Sequence, residues 1–477
     1  MVKLNRRHFL AGSAASFAGA TGVLGGLGKQ AAWAADTSGY RALVCVFLLG
    51  GLDHADTVLP LDQASHDQLG DIRPGLFNAY NVGTGDSSRD RANLLELNAD
   101  NIGSFGGRSF GLPVQLGGLH AAFEAGDLAI VGNVGPLIEP TVRDDISANS
   151  VALPPRLFSH NDQQSTWMAL STEGAQLGWG GSFVDAVLAS DPTANPLYAA
   201  IATSGNNVFL AGDISRQFRA SGGNGFDLNV INNRGIIGGN NRYNDVRERL
   251  DEFFQRPDLG GDNVFSQDVA RAAGAGVTNI RAFNDARANI IPFSTSFPGT
   301  NLGRQLQTIA ETIDVRNELQ VSRQVFFAAI GGFDTHSNQA NRLPQLQAQI
   351  SDALAAFRQA MIERGVWDQV TLFTASDFGR TTIDNGDGTD HGWGGHHFVM
   401  GGSVQGQRIY GDLPAPNLDL PQYTNSRGRL IPSVSVEQYA ATLGRWFGLA
   451  EDELVSALPN LSQFAASDLG FMGPLTS

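Results

Sequence analysis

The sequence predicts an α/β protein built on a mostly parallel central sheet flanked by helices. Two observations predict it. Apolar runs of strand length recur along the chain and end in Gly-rich or acidic turns, and amphipathic stretches of helical period lie between them.

The first run, residues 40–49, is apolar almost throughout and ends in Gly50-Gly51-Leu52-Asp53. Such a run reads as a strand buried on both faces, followed by a tight turn. Residues 128–134 form a second run, and 324–330 a third that also ends in Gly-Gly. Residues 370–375 form a fourth, closing on Ser376-Asp377-Phe378-Gly379, and 397–402 a fifth. Between them, residues 344–364 place Leu346, Ile350, Leu354, Phe357 and Met361 at helical spacing, with Gly365 to end the helix. Ser435 and Gln438 form a capping box that opens a helix through Trp446. Residues 203–300 are rich in Gly and Asn, with polar helical segments at about 242–256 and 264–286. They read as a helical and loop insertion over one end of the sheet. Residues 382–389 and 411–430 read as loops, and there is no internal repeat.

The amino terminus has its own logic. Arg6-Arg7-His8-Phe9-Leu10 precedes a weakly apolar, Gly- and Ala-rich stretch, and Ala32-Trp33-Ala34 fits a small-x-small cleavage site. This reads as a twin-arginine signal over residues 1–35, with a folded domain over 36–477. The expected partner is the twin-arginine export machinery, and the expected location is periplasmic or extracellular. No later segment is long and apolar enough to span a bilayer, so the mature chain is expected to carry no integral membrane segment.

Charge narrows the function. Residues 1–35 hold Lys3, Arg6, Arg7 and Lys29 and no acidic residue, leaving 28 basic against 47 acidic residues in 36–477, a net charge of −19. Nucleic acid and anionic membrane surfaces are poor partners for such a chain. Residues 36–477 contain no lysine, which excludes Schiff-base chemistry, pyridoxal phosphate attachment and a Walker lysine. Arginine is left as the only fixed cation, suited to gripping phosphate, sulfate or carboxylate. Cys45, the single cysteine, lies inside the first apolar run and reads as a core residue.

Four polar clusters stand just after predicted strands or beside the sheet: Asp53-His54-Ala55-Asp56, Ser159-His160-Asn161-Asp162, Asp334-Thr335-His336, and Asp377 with Asp390-His391 and His396-His397. Ligands of open α/β sheets bind beyond the carboxyl ends of the strands. Carboxylate with imidazole suits a divalent ion, with zinc, manganese or calcium as candidates. Six of the nine histidines fall in these clusters, and His66 and His120 read as structural. Because His396-His397 begins a strand, at most one of the two faces the site.

The stretches Phe47-Leu48-Leu49-Gly50-Gly51-Leu52-Asp53, Leu157-Phe158-Ser159-His160, Gly332-Phe333-Asp334-Thr335-His336-Ser337-Asn338-Gln339, Ser376-Asp377-Phe378-Gly379-Arg380-Thr381 and Gly388-Thr389-Asp390-His391-Gly392-Trp393-Gly394 resemble the exported bacterial proteins of domain of unknown function 1501. That family is in turn similar to the alkaline phosphatase and sulfatase superfamily. The resemblance implies an alkaline-phosphatase-like sheet and one or two metals at strand ends, acting on a small or polymeric anionic ester. By that resemblance Asp53 is the ligand of the first strand, Asp334 and His336 serve one metal and Asp377 the other. His391 and one of His396 or His397 complete the set. Ser159, opening a helix, is the candidate nucleophile, and Arg380 grips a non-bridging oxygen. The alternatives are an N-cap role for Ser159 and a structural ion pair for Arg380. Two departures stand out. Asp334-x-His336 is a tighter spacing than the superfamily uses, and Asp377-Phe378 stands where it has Asp-His. The leading expectation is an exported metal-dependent hydrolase of phosphate or sulfate esters. The alternative is a catalytically silent, metal-stabilised binding or cell-surface assembly protein of the same fold. A carbohydrate-active protein with paired carboxylates is a third, disfavoured by the histidines.

Overall fold

The computed structural model describes residues 35–191, 193–220, 252 and 263–473. The expected signal peptide lies outside the described residues, apart from Ala35, and so does almost all of the helix expected near 242–256. No helix among the described residues is long and apolar enough to cross a membrane.

Nine strands make the central sheet. In chain order they are β1 (Arg41–Leu49), β2 (Leu128–Gly135), β3 (Ala200–Ala202), β4 (Phe218–Arg219), β5 (Arg323–Gly331), β6 (Val370–Ser376), β7 (Gly395–Gly401), β8 (Ile409–Gly411) and β9 (Val434–Ser435). Their order across the sheet is β8-β2-β7-β6-β1-β5-β3-β4, with β9 also on β2. β1 lies parallel between β5 and β6. Only β7 runs against the rest, antiparallel to both β6 and β2. The sheet is therefore mostly parallel, as expected.

The apolar runs are explained by burial on both faces. Ala42, Val44, Val46 and Leu48 of β1 pack into one hydrophobic core, and Leu43, Cys45 and Phe47 pack into a second on the opposite face. Period-two alternation sends a continuous apolar run to both sides at once. Cys45 is buried and unpaired.

Helices frame the sheet and its carboxyl ends, among them α1 (His160–Ala169), α2 (Trp179–Ser190), α3 (Val264–Ala288), α4 (Asn301–Asp314), α5 (Gln339–Glu363) and α6 (Val436–Phe447). The capping box of α6 is present, with Ser435 Oγ accepting from the Gln438 amide. α3 covers the span expected as helical over 264–286. Two points differ from expectation. Strand β4 falls within 203–300 and closes the sheet edge on β3, so that part of the expected insertion belongs to the sheet. Residues 382–389 are largely the turn of a hairpin pairing Arg380–Asp384 with Thr389–His391 rather than open loop. Its polar strands carry no apolar alternation to announce them.

Candidate metal centre

The strands at the middle of the sheet, β6-β1-β5, deliver their carboxyl ends side by side. The turn after β1 makes this possible. Gly50 and Gly51 have φ of 117° and 94°, and a Cβ on Gly50 would lie 2.3 Å from the Asp334 backbone nitrogen. Only glycine permits both the left-handed turn and that close approach. Asp334 follows β5 and Asp377 follows β6. The hairpin beside them brings His391, and α1 begins with His160.

Three imidazoles and one carboxylate meet there. A coordinating atom from each of His160, Asp334 and His391 lies within 4.8 Å of the others. His336 joins them: its Nε2 is 3.0 Å from Asp334 Oδ1 and 2.9 Å from His391 Nε2. His391 Nε2 is 3.4 Å, and His160 Nε2 3.5 Å, from the Asp334 carboxylate.

The outward-facing nitrogens fix the chemistry of the inward ones. His391 Nδ1 is 2.8 Å from the Phe158 carbonyl oxygen, which can only accept, so Nδ1 carries the proton. His336 Nδ1 faces Asp390 Oδ1 at 3.2 Å, and His160 Nδ1 faces Asp377 Oδ2 at 2.6 Å. With the proton outward on each ring, each Nε2 is left with a lone pair; that of His336 meets His391 and Asp334, and those of His391 and His160 stand near Asp334. Two such lone pairs 2.9 Å apart repel unless a cation stands between them. His160 Nε2 is moreover buried without a hydrogen-bond partner. Imidazole Nε2 ligands whose Nδ1–H is held by a carboxylate or carbonyl are the usual construction of a metal site. The residues present therefore fit a single divalent ion.

The surroundings hold these groups in place. Phe378 is buried, and its ring lies 4.8 Å from the centroids of both His160 and His391, flooring the site. Phe378 thus supplies a wall. Phe158, at φ 73°, holds the uncommon left-handed backbone while its carbonyl receives His391. Arg380 Nη1 donates to Asp334 Oδ1 at 2.7 Å. Burial raises the Asp334 carboxyl, but the bond and charge of Arg380 outweigh it and the net shift is downward. Burial lowers His336 and His391, keeping them neutral, and Arg380 adds to the effect. His160 is raised, chiefly by its bond to Asp377 and against its burial.

Several expected roles do not fit this geometry. Asp53 is buried away from the imidazoles, with Arg73 donating to both its oxygens at 2.8 and 3.0 Å. Gln339 and the Ala55 amide also donate to it, so it serves a buried ion pair. Asp377 is fully buried and accepts from the Gly50 amide, His160 and Gln164, a geometry that suits a residue holding His160 in place. His396 points to the other side of β7, where its Nδ1 accepts from the Asn133 amide and its ring meets His54 edge-on. His397 packs on Trp167, so neither of the pair reaches the site. Arg380 is largely committed: besides Asp334 it donates to the Gly50 carbonyl and to the carbonyl and hydroxyl of Thr389, which engages four of its five N–H groups in holding the site together. Ser159 Oγ donates to Asp162 at 2.8 Å, and Ser159 stands at the N-cap position of α1 without a side-chain capping bond.

His160 is the site residue that sequence reasoning left without a role. Its signal is present in Leu157-Phe158-Ser159-His160, where the serine at a helix start is the more conspicuous chemical group.

No curated protein matches the sequence. Among solved structures, Ps i-CgsB in complex with k-i-k-neocarrahexaose is 9% identical over 90% of this chain and 78% of that one, at TM-score 0.33. A structure from Bacteroides thetaiotaomicron, BT33494S-sulf, from work on the metabolism of multiple glycosaminoglycans, is 11% identical over 87% and 74%, also at 0.33. BT1596, a 2-O GAG sulfatase, is 9% identical over 86% and 71%, at 0.29. A likeness this distant carries nothing over to the site. The sequence match is more specific. The model of the family described as Protein of unknown function (DUF1501) matches residues 301–457, the stretch that carries Asp334, His336, Asp377, Arg380 and His391.

Proposed function

We propose that this protein is a hydrolase of phosphate or sulfate esters that works through one divalent ion held by His160, His336, His391 and Asp334. The observation that supports it is the grouping of His160, His391 and Asp334, with His336 against Asp334 and His391, each imidazole with its Nδ1 turned outward onto an acceptor. A divalent ion bound there would polarise an ester oxygen and acidify a water. The chain's own residues do the rest. Asp377, Asp390 and the Phe158 carbonyl fix the tautomers, Arg380 aims Asp334, and Phe378 closes the rear of the site to solvent. Arg427, exposed and paired to Asp390, stands at the rim as a cation for an anionic group. An imidazole-rich set favours zinc or manganese over calcium, which prefers oxygen ligands. We also propose export by the twin-arginine route. Arg6→Lys with Arg7→Lys should hold the precursor in the cytoplasm, and normal export of that variant would refute the route.

One observation favours a second reading. Four protein ligands are the number that closes a tetrahedral structural site. A metal-stabilised binding or cell-surface assembly protein would need no open position. The test is elemental analysis of protein purified without chelator, followed by hydrolysis of aryl phosphates, diesters and sulfates by wild type and His391→Ala. Stoichiometric metal and turnover, both lost in the variant, support the hydrolase. Metal without turnover supports the second reading. A protein that holds no metal and gains no thermal stability from zinc or manganese refutes both.

A further inference from the structure

Beside the ion site, at the carboxyl ends of β1 and β5, lies a cleft of about 630 Å³. That size is typical of a ligand pocket. Its lining is unusual in one respect. Five residues with side-chain amides line it: Asn161 and Gln164 of α1, Asn206 and Asn207 of the loop after β3, and Asn301 of α4. Leu49, Met168, Val208 and Phe327 supply apolar surface. Among the described residues, the only ionisable side chain lining it is Glu173.

A second observation shows that this lining has bonds left to make. Ser204 Oγ and Asn207 Nδ2, from two residues that line the cleft, are buried and have no hydrogen-bond partner. Asn207 spends its Oδ1 on the Leu210 amide, so the unused group is a donor held in a fixed direction. Buried polar atoms are nearly always partnered, so these two groups have a bond to gain where the wall adjusts to a polar ligand. Gln164 joins the cleft to the ion site, since it lines the first and donates to Asp377 at 2.9 Å in the second.

We propose that this cleft binds a neutral oligosaccharide and leads its ester-bearing end to the ion site. Side-chain amides offer a donor and an acceptor together, which matches neighbouring sugar hydroxyls. The apolar side chains suit the faces of sugar rings. A polyanionic chain finds no cation among the described residues of the lining and meets Glu173. An extended peptide finds no free strand edge, because β1 is paired on both sides and β5 lies between β1 and β3. The delivery of an ester rests on the proposed function; the binding of the saccharide does not.

The test uses the full metal-loaded chain on a printed array of neutral glycans, with heparin hexasaccharide as the charged probe. Neutral glycans should bind. Asn161→Ala with Asn206→Ala, both exposed and so tolerated by the fold, should weaken the best of them about tenfold, the loss of one or two hydrogen bonds. Metal content should not change. Asn207→Ala should act in the same direction, though it also removes the bond to Leu210. In His391→Ala, glycan binding should persist after metal and turnover are gone, which separates this proposal from the hydrolase reading. Three results would overturn it: no neutral glycan bound, tighter binding of the heparin hexasaccharide, or an Asn161→Ala, Asn206→Ala double variant that binds as the wild type does.

Discussion

Asp377→Asn separates a residue that orients a ligand from one that binds the ion. Asp377 Oδ1 accepts from the Gly50 amide at 3.1 Å, and Oδ2 accepts from His160 at 2.6 Å and Gln164 at 2.9 Å. Asparagine keeps an oxygen for Gly50 but turns an NH₂ toward His160. Donor then meets donor, and the imidazole answers by moving its proton to Nε2, which removes its lone pair from the site. Loss of such an orienting partner weakens metal binding about 10- to 100-fold, or about 1.4–2.7 kcal/mol. A competition titration of zinc against a chelator reads this directly. Melting reads it independently. At free zinc a hundredfold above the wild-type Kd the ion adds about 2.7 kcal/mol of stability, whereas a site a hundredfold weaker gains only about 0.4 kcal/mol. His391→Ala, which deletes a ligand, should lose the ion outright. If Asp377→Asn binds zinc like the wild type, the orienting role is wrong. If it fails as completely as His391→Ala, Asp377 is itself a ligand.

Three further outcomes are expected. Ser159→Ala should cost about 1 kcal/mol for the lost bond to Asp162 and leave metal content and ester hydrolysis intact; a fall in turnover by orders of magnitude would restore the serine as nucleophile. Asp53→Asn should keep the metal but lower stability by about 3 kcal/mol, because Arg73 is left buried without its counter-charge; loss of metal with an unchanged melting curve would make Asp53 a ligand. Glu437, on the first turn of α6, is pushed up to about 7 by burial, which bonds from Asn460 only partly oppose. A carboxyl raised on folding favours the folded state below its unfolded value near 4.5 and loses that contribution as the pH climbs through 7. Melting should therefore fall between about pH 5 and 8 by the equivalent of about 3 kcal/mol, and Glu437→Gln should flatten that slope; an unchanged slope would remove Glu437 as its source.

How far the sequence could be read depends on how each element is stabilised. β1, β2, β5 and β6 were legible because both faces are buried and nearly every residue had to be apolar. β3, β4, β8 and β9, two or three residues each, are too short to carry a pattern and exist because a longer neighbour offers them a ladder. Asp334, His336 and His391 were legible as metal-binding residue types near strand ends. His160 stood in one of the same clusters, but the capping position of Ser159 drew the chemical role. Asp53 and Arg380 could not be assigned from the chain, because their partners decide them. Arg73 lies 20 residues from Asp53, and Asp334 lies 46 from Arg380. A carboxylate beside a strand end has the same sequence signature whether its counter-ion is a guanidinium or a metal. The direction of β7 was hidden for a related reason, since an apolar run reads alike in either orientation.

Whether four protein ligands leave room for chemistry turns on Asp334. Its Oδ1 lies 2.7 Å from Arg380 Nη1, so that oxygen is shared between a guanidinium and any ion. A carboxylate held in this way is a weaker and more directional donor than a free one, and Oδ2 faces His160 at 3.5 Å. The ligands are also unevenly buried. Asp334 and His336 are 41% and 44% exposed, whereas Phe378 and Arg380 behind them are buried. The rear of the site is thus sealed by an aromatic ring and a buried arginine, while the face carrying Asp334 and His336 is open to solvent. A structural site gains stability by excluding water from every side. Here the protein excludes it from one side only, and the open side is where an ester oxygen or a water could approach as a further ligand. That asymmetry, more than the count of ligands, is why hydrolysis stands ahead of a purely structural ion.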